Sequence, residues 1–202
     1  MKLPFLAAMT AVAVFSLGAQ ASPIFSDNFD AEGTPEQSVL NYTGFGQWTV
    51  SEGTVDLIYN TNRWGIDCAG GSGKCVDLDG STRSAGTLTS NSFSLPVGTY
   101  ALTFDVSGNQ RGGSDDTVNL TLGGYLSDAI TLSAADSWQT MTRNFTVSAQ
   151  STDYIRFNHD GGDNIGIMLD NVYLTSVPEP GILILFGLGL AGLGAARRRT
   201  RS

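Results

Sequence analysis

Three kinds of side chain in this sequence could take part in chemistry: two cysteines, one histidine and 19 carboxylates. Two cysteines with one histidine are too few for a structural zinc cluster of Cys and His ligands. A cysteine nucleophile would depend on His159, the only histidine, and no Gly-x-Ser-x-Gly motif marks a serine nucleophile. Carboxylate pairs of the kind used in glycoside hydrolysis arise by chance among so many acids. The sequence therefore assigns no catalytic residue.

Cys68 and Cys75 are separated by a short segment that contains three glycines. In an oxidising compartment two such cysteines are expected to form a disulfide, and the glycines allow so short a ring to close. The spacing differs from the Cys-x-x-Cys of redox enzymes. We therefore predict that a Cys68–Cys75 disulfide fixes a surface loop.

The candidate ligand-binding residues lie just before the first cysteine, in the segment 62–67. Sugars stack their C–H faces on exposed aromatic rings and form hydrogen bonds with charged and amide side chains. Arg63, Trp64 and Asp67 bring such groups together in one predicted loop. The alternative is that Trp64 belongs to the core, where large aromatic residues are mostly buried.

The elements that would position these residues are short β-strands. Apolar and polar residues alternate over 100–107, 118–122 and 141–147, with Arg143 as the one interruption, and turn-forming residues separate the runs. No stretch before Pro178 carries the apolar stripe of a helix. The spacing favours an all-β antiparallel sandwich, a jelly roll, over residues 22–177. Trp48 and Trp138 are expected in its core.

The N-terminal segment differs in composition from this domain. Residues 1–21 combine Lys2, an apolar run and Ala19-Gln20-Ala21. A basic start, an apolar centre and a small-x-small ending are typical of a secretory signal peptide. We predict cleavage after Ala21, which leaves Ser22 as the mature N-terminus of an exported protein. A membrane anchor is the alternative, and the short apolar run makes it the weaker one.

The C-terminal segment, 178–202, has three parts. The motif Pro178-Glu179-Pro180 precedes an uncharged apolar segment over 181–196 and an arginine-rich tail over 197–202. The apolar segment predicts a transmembrane helix, and its basic tail should stay cytoplasmic under the positive-inside rule. The domain is then expected on the outer side of the inner membrane.

Motif, apolar span and basic tail in this order resemble a PEP-CTERM sorting domain. The resemblance implies a Gram-negative bacterium in which an exosortase recognises Pro178, Glu179 and Pro180 and cleaves nearby. It further implies transfer to the cell surface or the extracellular matrix, in a system that accompanies exopolysaccharide production. The prolines fit a recognised substrate, because they keep the segment extended and non-helical.

The domain resembles the galactose-binding-like jelly rolls of carbohydrate-binding proteins, through the segments 27–30, 47–50, 98–105 and 166–172. In such jelly rolls a calcium often bridges an early strand to the final one. The resemblance implies a structural calcium held by Asp30 or Glu32 together with Asp170 and main-chain carbonyls.

Two further acidic segments, 77–80 and 160–164, are rich in Asp, Asn and Gly, and we interpret them as turns.

The net charge of −8 argues against nucleic acid as a partner, since such binding needs a basic face. Three hypotheses for the function remain open. The first is a non-catalytic surface or matrix protein that binds or coats exopolysaccharide. The second is an enzyme that acts on surface polysaccharide, and the third is a purely structural protein of the biofilm matrix.

Overall fold

The computed structural model describes residues 22–178 and Gly189, and the chain folds there into short β-strands joined by turns. A 3₁₀ turn at Ala69–Gly71 lies within the segment between the two cysteines. The strands are β1 (Phe25–Asp27), β2 (Trp48–Ser51), β3 (Asp56–Tyr59), β4 (Lys74–Asp77), β5 (Thr87–Ser90), β6 (Phe93–Leu95), β7 (Gly98–Ser107), β8 (Asp116–Leu122), β9 (Leu126–Leu132), β10 (Gln139–Val147), β11 (Ser151–Asp153), β12 (Ile155–His159) and β13 (Met168–Ser176).

These strands form two large sheets and one small pair. The first sheet has the order β10-β7-β13-β4-β3, with β1 also paired to β13, and the second has the order β2-β5-β12-β8-β9, while β11 pairs with β6. The pairings between the named strands are antiparallel. The chain crosses repeatedly from one sheet to the other, as in jelly rolls. The predicted all-β antiparallel sandwich is confirmed.

The core lies between the two sheets, where every second residue of a strand points inward. In β7 the buried residues Tyr100, Leu102, Phe104 and Val106 alternate with more exposed ones. The Phe104 ring meets the Phe157 ring of β12 edge to face, at 5.5 Å between centroids, and this contact joins the two sheets. Burying a side chain of this size stabilises the fold by roughly 1.5–3 kcal/mol.

The arginine that interrupts the apolar face of β10 pairs across an edge of the sandwich. Arg143 Nε donates to Asp128 Oδ2 of β9 at 2.6 Å. Strands β10 and β9 are edge strands of different sheets, so the ion pair links the sheets where the core meets solvent. Both side chains are about a third exposed, and such a pair contributes at most about 1 kcal/mol.

Residues Ala21–Val177 form one compact unit. The predicted signal peptide, 1–21, and most of the predicted sorting segment, 179–202, lie outside the described residues. Within the described part of the chain, no helix has the length and apolar character needed to cross a membrane.

Candidate ligand-binding site

The predicted disulfide is present and anchors the segment 68–75 to the first sheet. Cys68 and Cys75 are joined, with 5.4 Å between their Cα atoms, and both are buried. Their sulfurs belong to a small apolar cluster with Ile58, Ile66 and Met168, separate from the main core. The Cys68 N–H donates to Asn60 Oδ1 at 2.7 Å, which ties the start of the segment to the end of β3.

The loop 62–67 is organised by one asparagine. Asn62 Oδ1 accepts from the N–H groups of Trp64 and Ile66, and Asn62 Nδ2 donates to the carbonyl of Ile66 at 2.7 Å. These bonds turn the loop so that Ile66 is buried and Trp64 packs, half-buried, on the small cluster. The Arg63 guanidinium lies over the Trp64 ring at 5.1 Å from its centroid, a cation–π contact.

Trp138 was predicted to lie in the core, and this prediction is wrong. Trp138 immediately precedes β10, remains partly exposed, and packs on the same small cluster as Trp64. Its indole Nε1 donates to the Asp67 carbonyl at 2.8 Å. Trp48, by contrast, is 3 % exposed and belongs to the main core as predicted. Two partly exposed tryptophans therefore flank the disulfide segment.

A cavity of about 320 Å³ opens beside Trp138. Gln110 forms one wall and clamps the main chain of Asp67, since its Oε1 accepts the Asp67 N–H and its Nε2 donates to the Asp67 carbonyl, each at 2.9 Å. Asp67 is exposed, and Asp136 also lines the cavity. We call these residues, Asp67, Gln110, Asp136 and Trp138, the tryptophan pocket. It offers one aromatic face with carboxylate and amide groups around it.

The sequence-predicted ligand residues are only partly brought together. Asp67 lines the tryptophan pocket, while Arg63 and Trp64 contact each other outside its lining. Gln110 and Trp138 were missed. Gln110 lies 43 positions from Asp67 in a glycine-rich loop, where nothing in the local sequence marks a contact. Trp138 was assigned to the core as part of an alternating strand, whereas β10 begins only at the next residue, Gln139.

The three residues of the predicted calcium site are engaged by the protein itself. Asp30 Oδ1 accepts the N–H of Lys74 at 2.8 Å, and Glu32 Oε1 accepts the N–H of Gly46 at 2.9 Å. Burial raises the pKa of Asp170 to about 8, and the charge of Asp30 acts in the same direction. Among the described residues, no group of three His, Cys, Asp or Glu side chains is arranged to hold a metal ion. Calcium at this position stays a prediction.

A lysine ammonium lies where the main-chain carbonyls of this region point. Lys74 is only 3 % exposed, and its Nζ donates to the carbonyl oxygens of Asp30, at 3.4 Å, and of Glu32. The carbonyls of the loop that follows β1 thus bind the positive charge of a lysine from the same chain. The contact ties this loop to β4 and to the disulfide segment.

The segment 77–80 begins with the last residue of β4 and bends at 78–79, in line with the turn interpretation, but its two aspartates are buried. Asp77 is 1 % exposed, and its carboxylate accepts the N–H groups of Asp79 and Gly166 and pairs with Arg111. Burial raises the pKa of Asp77, and Arg111 opposes that shift. Asp79 is fully buried, and its Oδ2 accepts three N–H groups of the loop 162–164. These two carboxylates therefore hold neighbouring loops together.

Comparison with known protein families identifies one segment of the chain. The family model for the PEP-CTERM protein-sorting motif matches residues 176–199, so the chain carries this motif and the first resemblance is confirmed. The motif marks an exported protein that passes through a membrane-anchored sorting intermediate. A search of curated proteins found no match.

Among solved structures, the domain is similar to several carbohydrate-binding modules. One is the CBM22-1 xylan-binding domain of Xyn10C from Paenibacillus barcinonensis, with 15 % identity, a TM-score of 0.49, and coverage of 79 % of this chain and 97 % of that one. Another is the N-terminal cellulose-binding domain of β-1,4-glucanase C from Cellulomonas fimi, with 20 % identity, a TM-score of 0.47, and coverage of 79 % and 100 %. A third is the K3 cleaved adhesin domain of Lys-gingipain from Porphyromonas gingivalis, with 19 % identity, a TM-score of 0.46, and coverage of 78 % of this chain and 100 % of that one. Similarity at this level of identity and TM-score assigns neither a ligand nor an activity to this chain.

Proposed function

We propose that this protein is exported, processed by an exosortase at Pro178-Glu179-Pro180, and retained at the surface or in the extracellular matrix of a Gram-negative bacterium. There its sandwich binds or coats exopolysaccharide without catalysis. The observation that carries the sorting half is the PEP-CTERM motif at residues 176–199. Before processing, the apolar segment 181–196 holds the chain in the inner membrane, and the exosortase is the first partner.

The binding half rests on the tryptophan pocket and on Trp64 nearby. Partly exposed indole rings offer apolar faces to sugar rings at a small cost in side-chain entropy, and the neighbouring amide and carboxylate groups accept and donate hydrogen bonds. Gln110 and the small apolar cluster hold Asp67 and Trp138 in place before any ligand arrives. Such preorganisation lowers the cost of binding.

Affinity electrophoresis tests the binding half, with full-length protein in gels that contain exopolysaccharide purified from the producing bacterium. Trp138→Ala and Trp64→Ala should each reduce retardation at least about tenfold in apparent affinity, the scale of one lost aromatic contact. Tyr154→Ala removes an aromatic side chain that is 45 % exposed elsewhere and serves as the matched control. Equal retardation of all four proteins would contradict polysaccharide binding at this face and favour the purely structural hypothesis.

A separate experiment tests sorting. Conversion of Pro178, Glu179 and Pro180 to alanine should leave an unprocessed form in the membrane fraction, detected by a C-terminal epitope tag. Wild-type protein should lose the tag and reach the medium or the cell surface. Unchanged processing of the variant would refute recognition of this motif. Cleavage of the purified polysaccharide by wild-type protein would instead favour the enzyme hypothesis.

A further inference from the structure

A second polar cavity lies where the end of the loop that joins β7 to β8 meets the loop that follows β12. It measures about 310 Å³ and is lined by two stretches of chain, 114–117 and 159–163. We call it the acidic pocket, because its lining contains four carboxylates and neither lysine nor arginine: Asp115, Asp116, Asp160 and Asp163.

The pocket is held in shape by hydrogen bonds that leave its carboxylates at the rim. Asp79 lies beneath the loop 160–164 and accepts three of its N–H groups through one oxygen. The Asp160 N–H donates to the Thr117 carbonyl at 2.9 Å, which joins the two stretches. Asp115, Asp160 and Asp163 nevertheless remain exposed.

Independent of these acids, a buried side chain of the pocket lining has a polar atom without a partner among the described residues. His159 lines the pocket, is 4 % exposed, and uses its Nε2 to accept the N–H of Ile167 at 3.2 Å. An imidazole that accepts at Nε2 carries its proton on Nδ1, and this Nδ1–H has no acceptor. Burial lowers the pKa of His159, which keeps the ring neutral.

An unpaired donor on a residue that lines a cavity calls for a ligand group that can accept its hydrogen bond. A hydroxyl group meets this need, since its oxygen accepts the His159 N–H while its own proton is donated to a carboxylate of the lining. A metal ion cannot use an Nδ1 that carries a proton, and no described group of three side chains is arranged to hold one. The surrounding carboxylates disfavour anionic ligands and favour a cationic group.

We propose that the acidic pocket binds a hydroxylated ligand that carries a free ammonium group, the chemistry of a 2-amino-2-deoxyhexose unit in a de-N-acetylated polysaccharide. The ammonium contacts the rim carboxylates, and a neighbouring ring hydroxyl meets His159. This site does not depend on the tryptophan pocket, so it extends the proposed function without resting on it.

Isothermal titration calorimetry of the full-length protein tests the proposal with four probes. These are the glucosamine tetramer, its fully N-acetylated counterpart, spermidine and calcium chloride. The glucosamine tetramer should bind at least about tenfold more tightly than the other three, since only this probe combines ammonium and hydroxyl groups. Equal binding of the N-acetylated tetramer or of spermidine, or competition by calcium, would overturn the proposal.

Isosteric variants locate the site. Asp115→Asn combined with Asp163→Asn should weaken glucosamine-tetramer binding at least about tenfold, because two charges on exposed rim positions are removed. Glu36→Gln combined with Asp153→Asn removes the same charge elsewhere and should leave the affinity unchanged. Asp153 lies beyond the far end of β8, about 20 Å along the strand. Equal affinity of the two double variants would overturn the proposal.

A variant of the tryptophan pocket separates a failure of this proposal from a failure of the proposed function. Trp138→Ala should keep its affinity for the glucosamine tetramer while it loses retention by exopolysaccharide. If Trp138→Ala abolishes tetramer binding and Asp115→Asn with Asp163→Asn does not, the acidic pocket is refuted and polysaccharide binding at the tryptophan pocket survives. If exopolysaccharide retention fails in all proteins while the tetramer still binds, only the proposed function is refuted.

Discussion

The buried ammonium of Lys74 allows a quantitative test of how the N-terminal loop is held. Lys74→Met keeps most of the volume and removes the charge and its hydrogen bonds to the carbonyls of Asp30 and Glu32. Hydrogen bonds to charged groups contribute about 1.5–3 kcal/mol each, and the two carbonyls are left without their donor. Release of the ammonium from a site that is 3 % exposed offsets part of this loss. We expect the free energy of unfolding to fall by about 3 kcal/mol.

Urea unfolding followed by tryptophan fluorescence measures this change. Arg83→Met is the control, because it also removes one cation, and the Arg83 side chain is exposed. A surface substitution of that kind should change the free energy of unfolding by less than about 0.5 kcal/mol. A loss below about 1 kcal/mol in Lys74→Met would refute the assignment of the ammonium as the tie between the loop and β4. If added calcium restored the free energy of unfolding of Lys74→Met, this result would show that the carbonyls of Asp30 and Glu32 can hold a divalent cation together with Asp170.

Two further predictions concern stability. Replacement of Cys68 and Cys75 by serine opens a ring of eight residues and should lower the free energy of unfolding by about 2.5 kcal/mol in urea titrations; no change would show that the loop is fixed by Asn60 and the apolar cluster instead. The raised pKa of Asp170, about 8, means that the folded state binds a proton that the unfolded state has lost. Stability should therefore fall as pH rises from about 4 to 8, by at least about 1.4 kcal/mol. Asp170→Asn should reduce the slope over that part of the profile, to which Asp77 also contributes, and an unchanged slope would contradict the assignment.

The strands could be predicted because a two-residue alternation follows directly from the geometry of a half-buried sheet. The alternation over 100–107 predicts the buried face of β7, which the structure confirms. Arg143 breaks the pattern in β10 without breaking the strand, since Asp128 of the other sheet compensates the charge at the edge. That partner is distant in sequence, and local periodicity carries no information about it.

The candidate site was harder to predict, because tertiary contacts decide which polar residues are buried. Lys74 and Asp77 are the first and last residues of a strand of four residues. Nothing in their spacing distinguishes an exposed lysine from one that binds main-chain carbonyls. Asp79 was interpreted as a turn residue from its neighbours, and they do not reveal that its Oδ2 accepts the N–H groups of a loop more than 80 positions away. The tryptophan pocket has the same origin: Asp67, Gln110 and Trp138 meet only when the sandwich closes.

The charge of the exported part restricts which polysaccharides either pocket can bind. The chain carries −8 in total, and its basic tail lies beyond the domain, so the sandwich itself is more acidic than the whole. An anionic polysaccharide is repelled by such a surface, while a neutral or cationic one is not. The two pockets should therefore differ in their response to salt. Glucosamine-tetramer binding should weaken at least about fivefold from 50 to 500 mM NaCl, where the Debye length falls from roughly 14 to 4 Å. Stacking on Trp138 is apolar, and retention of a neutral glycan should change less than about twofold over that range.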